Sequence, residues 1–193
     1  MLAIHWQNDL VRPGSPMDSL FAAEIARKGM IPRMQHALKA VRLSGGTVIY
    51  CNMSHRPGPR RGRDNSGLFR TGTKLSAFVR GTPGILVIDE LRPEETDLQV
   101  DQNGISVFFG SDLDTLLRAR DITTVAVAGI ATNVAVDHTV RDALQFGFYT
   151  HVLEDCCCSG DPDFHDASMK TLRVIATGVG NSEEFLARLQ APK

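Results

Sequence analysis

A doubly wound α/β domain, with a Rossmann-like parallel sheet between two helical layers, is the fold this chain predicts. Three observations carry the expectation. Short apolar runs alternate with segments of helical spacing, the order that builds a parallel sheet covered by helices. One run, "TTVAVAG" (123–129), is apolar beyond its threonines, as a central strand buried on both faces must be. Finally, 193 residues suit a single domain over 1–193 with a sizeable core.

"LAI" near the start reads as the first strand. Residues 19–43 place Phe21, Ile25, Met34, Leu38 and Val41 at helical spacing, which predicts one long helix stopped by "SGG" at 44–46. "TVIYCN" is the second strand. Residues 54–84 are rich in Gly, Pro and Arg and too long for an ordinary connection, which points to a lid or binding loop. "GISVFF" (104–109) reads as the next strand, and "SDLDTLLRAR" as a helix with Ser111 as N-cap and an acidic first turn. After the central strand a helix is expected over about 133–146, ending at Gly147. "YTHVLED" is then a strand and "PDFHDASMKTLRVI" a helix. "NSEEFLARL" is a last helix with an Asn or Ser cap and early glutamates. In such a fold the ligand sits at the carboxyl ends of the strands.

The 21 basic and 22 acidic residues nearly cancel, so no global field favours nucleic acid or an anionic membrane. The arginines of "HRPGPRRGRDNSGLFR" read as a solvated or substrate-covering loop. No segment approaches the ~18 apolar residues of a membrane span, and no charged region precedes an apolar run as in a signal peptide. Cys156, Cys157 and Cys158 are consecutive; adjacent half-cystines rarely meet disulfide geometry, so a reduced cytoplasmic protein is expected. Spaced cysteine pairs of a zinc site are absent from the sequence.

Four segments resemble the isochorismatase-like hydrolases, the cysteine hydrolase superfamily. "LAIHWQNDL" is similar to the family's opening strand, apolar residues followed by D-x-Q-N-D-F. "DQNGISVFFGSDLDTLLRARDI" resembles K-x-x-x-S-A-F-x-G-T-x-L. "VAGIATNVAVDHTVRDALQFGF" resembles G-x-x-T-N-x-C-V-x-x-T-x-R-D-A, and "VLEDCCCSGDPDFHDASM" resembles the E-D-A-C segment with its downstream histidine helix. The order is right and nearly the whole chain is spanned. The resemblance implies the isochorismatase-like fold, a small-molecule ligand, and a homodimer or homotetramer. In active members a cysteine at a helix start attacks a carbonyl, an aspartate takes its proton and a lysine orients the pair. Carried over by position, the aspartate falls on His5, the lysine on Gln102 and the cysteine on Ala135. All three differ.

A methyl group forms no thioester, so covalent catalysis at Ala135 is excluded on chemistry. Two readings follow. One is a diverged enzyme using non-covalent acid–base chemistry centred on His5, which changes charge near neutrality. The other is a pseudoenzyme that binds a ligand or accompanies an active relative. His5 could equally be a hydrogen-bonded histidine filling an emptied space. Trp6 could wall the pocket or join the core, and Asp9 could fix a turn or enter the site. Phe108 is expected to pack beneath the site. Asn133 opens the helix at the pocket, and His138 belongs to the pocket or to a surface or subunit contact. His55 matches one histidine of the metal site in nicotinamidase-like members, but Met53 stands where they have an aspartate; neither metal nor cofactor is expected.

Overall fold

The computed structural model describes residues 1–58 and 64–190. Six parallel strands lie in the order β3-β2-β1-β4-β5-β6. They are β1 (Leu2–Ile4), β2 (Ile49–Met53), β3 (Leu98–Gln102), β4 (Thr124–Ile130), β5 (Tyr149–Cys158) and β6 (Gly178–Gly180). The register sets Leu2 beside Ile49 and Val127, Ile49 beside Leu98, and Thr124 beside Tyr149. The order reverses between β1 and β4. A crevice opens at such a switch point beyond the strand ends.

Strand alternation sends successive side chains to opposite faces, and both faces are buried. Ala3, Tyr50 and Ala128 pack with Met30, Met34 and Leu38. Those three residues belong to α3 (Met30–Leu43), which shares its face with the short α1 (Asn8–Val11), α2 (Asp18–Arg27) and α8 (Ser182–Gln190). Leu2, Ile4 and Val127 pack on the other face with Leu117, Val140 and Leu172. These come from α5 (Leu113–Arg118), α6 (Asp137–Gln145) and α7 (Pro162–Ile175). This is the expected three-layer α/β domain.

Three expectations are corrected in detail. The helix expected over 19–43 is two helices, because Gly29 takes φ 58°, ψ 40°, a left-handed conformation that a side chain resists and that ends an α-helix. The strand expected at "GISVFF" is a series of turns, and β3 is instead the preceding, more polar "LQVDQ". Val107 and Phe108 are still buried in the core, but Ser106 and Thr139 hydroxyls, rather than a neighbouring strand, accept the N–H groups of Phe108 and Val107. The segment 54–84 is not simply loop: it holds α4 (Gly67–Lys74), with the Ser66 hydroxyl accepting the N–H of Phe69 as an N-cap. The arginine-rich stretch at 59–63 lies outside the described residues.

Candidate functional site

The site is assembled where β1 and β4 end. The strands approach so closely that a Cβ on Gly129, which has φ 143°, would lie 2.2 Å from the Ile4 carbonyl oxygen. Only glycine fits there. His5 follows at φ 56°, a backbone region that Asn, Asp and His enter more readily than most residues. Its N–H donates to the Cys51 carbonyl at 3.0 Å, and the imidazole turns inward, 5% exposed.

Both imidazole nitrogens have partners. Nδ1 lies 3.0 Å from the Ile130 carbonyl oxygen, which can only accept. Nε2 lies 2.6 Å from Gln102 Nε2, while Gln102 Oε1 accepts the Gly104 N–H at 2.7 Å. Because an amide nitrogen only donates, the logic of the chain assigns the proton to Nδ1 and makes Nε2 the acceptor. His5 is therefore neutral. Burial pushes its pKa down to about 4, the bond to Ile130 offsetting part of the fall.

Beyond β4 the Ile130–Ala131 peptide is cis, and Thr132–Val136 form a wide turn before α6, carrying Ala135, 2% exposed. A second histidine braces this turn. His165 Nδ1 lies 2.8 Å from Thr132 Oγ1, and its Nε2 lies 3.1 Å from Lys28 Nζ. An ammonium only donates, so Nε2 accepts and Nδ1–H donates to the threonine. Lys28 also donates to the carbonyls of Cys157 and Glu154. Nothing in helical spacing marks Lys28 as His165's partner, 137 residues away.

A cavity of about 90 Å³ joins these pieces. His5, Ile130, Ala131, Val134 and Ala135 line it from the strand ends, and Leu68, Phe69 and Gly72 of α4 line it from the 54–84 segment. Met17, Phe21, Met53, His55 and Phe78 complete most of the remainder. The structure thus brings His5 and Ala135 to one hollow and hydrogen-bonds Gln102 to His5 behind it. His55 also lines the hollow, its ring edge-on to Phe78 with centroids 6.4 Å apart, and burial lowers its pKa. The residues there do not fit a divalent cation: the thioether of Met53 and aromatic rings surround His55, and no carboxylate joins it in the described lining.

Five other candidates lie elsewhere. Trp6 is fully buried in the core with α3, its indole N–H without a partner among the described residues. Phe108 stacks with Phe148, centroids 6.1 Å apart, on the opposite face of the sheet from α3. Asn133 bonds to Ser159 through its N–H and Oδ1. His138 is exposed on α6, its Nδ1 donating to the Val134 carbonyl. Asp9 is buried, and its Oδ2 accepts the Phe78 N–H at 2.6 Å. The cysteines are buried as well. Burial raises Cys51, Cys157 and Cys158 to about 12 and pushes Cys156 up too, so none is a ready nucleophile.

The "QNDL" segment proves to be a fastening for the cavity wall. Gln7 Nε2 donates to the carbonyls of Met53 and Ile85, and Asn8 Nδ2 donates to that of Pro83. With Asp9 on Phe78, three consecutive polar side chains hold the segment that closes the cavity. Asp9→Ala leaves a buried N–H unpaired, which costs about 1–3 kcal/mol. Urea denaturation is expected to show that loss, with faster amide exchange at Phe78 than in the rest of the core.

The model of the isochorismatase domain matches residues 1–184. The chain belongs to the isochorismatase family. The ureidoacrylate amidohydrolase of Caulobacter vibrioides is 30% identical over 199 residues, covering 96% of this chain and 88% of that protein. That of Acinetobacter baylyi is 28% identical, covering 98% and 83%. Among solved structures, an isochorismatase family protein from Desulfovibrio vulgaris superposes with a TM-score of 0.82 at 25% identity, covering 98% of this chain and 97% of its own. A nicotinamidase from Bacillus subtilis, 21% identical with a TM-score of 0.77 over 93% and 97% of the two chains, shares the fold. Among the described residues of this family member, no helix is long and apolar enough to cross a membrane.

Proposed function

We propose that this isochorismatase family member keeps the family's hollow as a binding site for a small, uncharged, apolar molecule and does not run the covalent amidohydrolase cycle. The observation that carries the reading is the closed hydrogen-bond chain from Gly104 through Gln102 and His5 to Ile130. It occupies both imidazole nitrogens, so His5 can neither accept nor release a proton toward a ligand without breaking a bond in a buried place. Ala135 offers a methyl group to the same hollow. The neighbouring Met, Phe, Leu and Ile side chains favour apolar matter and repel charge.

Acid–base catalysis centred on His5 is the competing reading. It needs an imidazole with one nitrogen facing ligand and a pKa near the working pH, and the geometry of His5 gives it neither. The relatives named ureidoacrylate amidohydrolases supply the test substrates. Ureido acids, primary amides and vinyl ethers are expected to show no turnover above the buffer background. A compact apolar ligand such as xenon or isobutane at 100 times its dissociation constant is expected to stabilise the fold by about 2.7 kcal/mol. Turnover that disappears in His5→Ala would overturn the proposal, as would indifference of the melting temperature to every apolar ligand.

A further inference from the structure

We infer that Gly72 is the size filter of this hollow, and that the part of the ligand it admits is a compact apolar group smaller than a benzene ring. The inference rests on the binding reading above. Three observations lead to it. Gly72 lies inside α4 and is buried, yet it lines the cavity. A Cβ built on it meets nothing within 4 Å among the described residues, so the space beside its α-carbon is open. Its backbone is ordinary helix, outside the set of glycines with positive φ.

These facts separate Gly72 from glycines that a fold demands. Gly129 has a positive φ and a carbonyl 2.2 Å from where a Cβ would stand. Neither turn geometry nor close packing requires glycine at 72. In a helix interior glycine is about 0.5–1 kcal/mol worse than alanine. The missing side chain therefore costs the helix stability and leaves volume in the cavity. That volume is small. An apolar cavity of about 150 Å³ holds benzene, whereas this one is about 90 Å³. A branched alkyl end or a similarly compact group fits beneath α4, with any larger remainder of the ligand left toward the opening.

Leu68, Phe69 and Gly72 reach the cavity from one helix face. The two large side chains fix that wall while Gly72 lets ligand reach the helix backbone. Lengthening the side chain at 72 should fill the hollow from the wall inward. Gly72→Ala shortens the accessible depth, and Gly72→Val places an isopropyl group in it.

Xenon is the probe, because it is uncharged, apolar and small enough for the wild-type cavity. Xenon binding to the full chain is followed by the xenon NMR shift and by methyl shifts of the lining residues. Wild type is expected to bind, Gly72→Ala to bind severalfold more weakly, and Gly72→Val to bind more than tenfold more weakly. Both variants should melt at or above the wild-type temperature without ligand, because a helical glycine has been replaced and open space filled. Equal xenon affinity in all three folded proteins would overturn the role of Gly72 while leaving the binding reading intact. A drop in melting temperature for Gly72→Ala would also overturn it, since the methyl group would then be meeting packed atoms. Absence of xenon binding by wild type would instead remove the binding reading beneath it.

Discussion

Acidification from pH 6.5 to 4 is expected to remove about 3 kcal/mol of folding stability through His5 alone. The folded pKa is about 4 against an ordinary value near 6.5, and each unit is worth about 1.4 kcal/mol. Above pH 6.5 the imidazole is neutral in both states and nothing is lost. Between 6.5 and 4 the unfolded chain takes up a proton that the folded chain refuses, so unfolding becomes progressively more favourable. Below 4 both states are protonated and this contribution levels off. Burial lowers His55, His151 and His165 as well, which adds loss of the same sign. Urea denaturation against pH, compared between wild type and His5→Asn, isolates the His5 share, because asparagine tolerates the positive φ and does not titrate. A difference between the two curves that stays flat from pH 7 to 4 would mean that His5 is protonated freely in the fold. The acid–base reading would then regain its proton carrier.

How far the sequence could lead is clearest where interactions are local. "PDFHDASMKTLRVI" forms α7 over its full expected length because Pro162 presets the first helical φ and the Asp161 carboxylate caps the N–H of Asp163. β4, apolar beyond Thr124, needed only its own composition to be read. β3 was missed because it is an edge strand: residues 99 and 101 are exposed, and "LQVDQ" carries little apolar signal. The run "GISVFF", buried at Ser106, Val107 and Phe108 but exposed at Phe109, outcompeted it on hydrophobicity but has turn geometry, with Gly110 at φ 70°.

The site divides in the same way. His5 and Gln102 were legible as partners only through the family motif, since 97 residues separate them and their contact is a consequence of topology. The length of the 54–84 segment pointed to a binding loop, but which of its residues wall the cavity was not legible. Leu68, Phe69 and Phe78 sit in a segment without periodicity, where apolar residues give no direction. The role of Gln7, Asn8 and Asp9 as fasteners depends on backbone groups at 53 and 78–85, which no spacing rule connects to them.

The hydrogen-bonded pair at positions 5 and 102 makes a second large effect testable by substitution. Gln102→Lys places an ammonium in a site 1% exposed with only a neutral imidazole beside it. His5→Asp places a carboxylate against the Ile130 carbonyl with one amide donor to hold it. Each change leaves a buried charge without its counterpart, and each is expected to cost about 3–5 kcal/mol. Combined, the two charges face each other where His5 and Gln102 now touch, and about a third to a half of the summed loss should be recovered. The coupling energy from that double-mutant cycle is expected to be on the order of 3 kcal/mol. Adding Ala135→Cys to the pair then supplies a thiol on the same hollow, beside a carboxylate that can take its proton and an ammonium that favours the thiolate. Alkylation by iodoacetamide, read by mass spectrometry, should be more than tenfold faster in this triple variant than in Ala135→Cys alone. In the single variant both His5 nitrogens stay bonded to Gln102 and Ile130, so the thiol has no base. Equal alkylation rates would show that His5 already serves as that base, and the closed chain through Gln102 would not describe its working state.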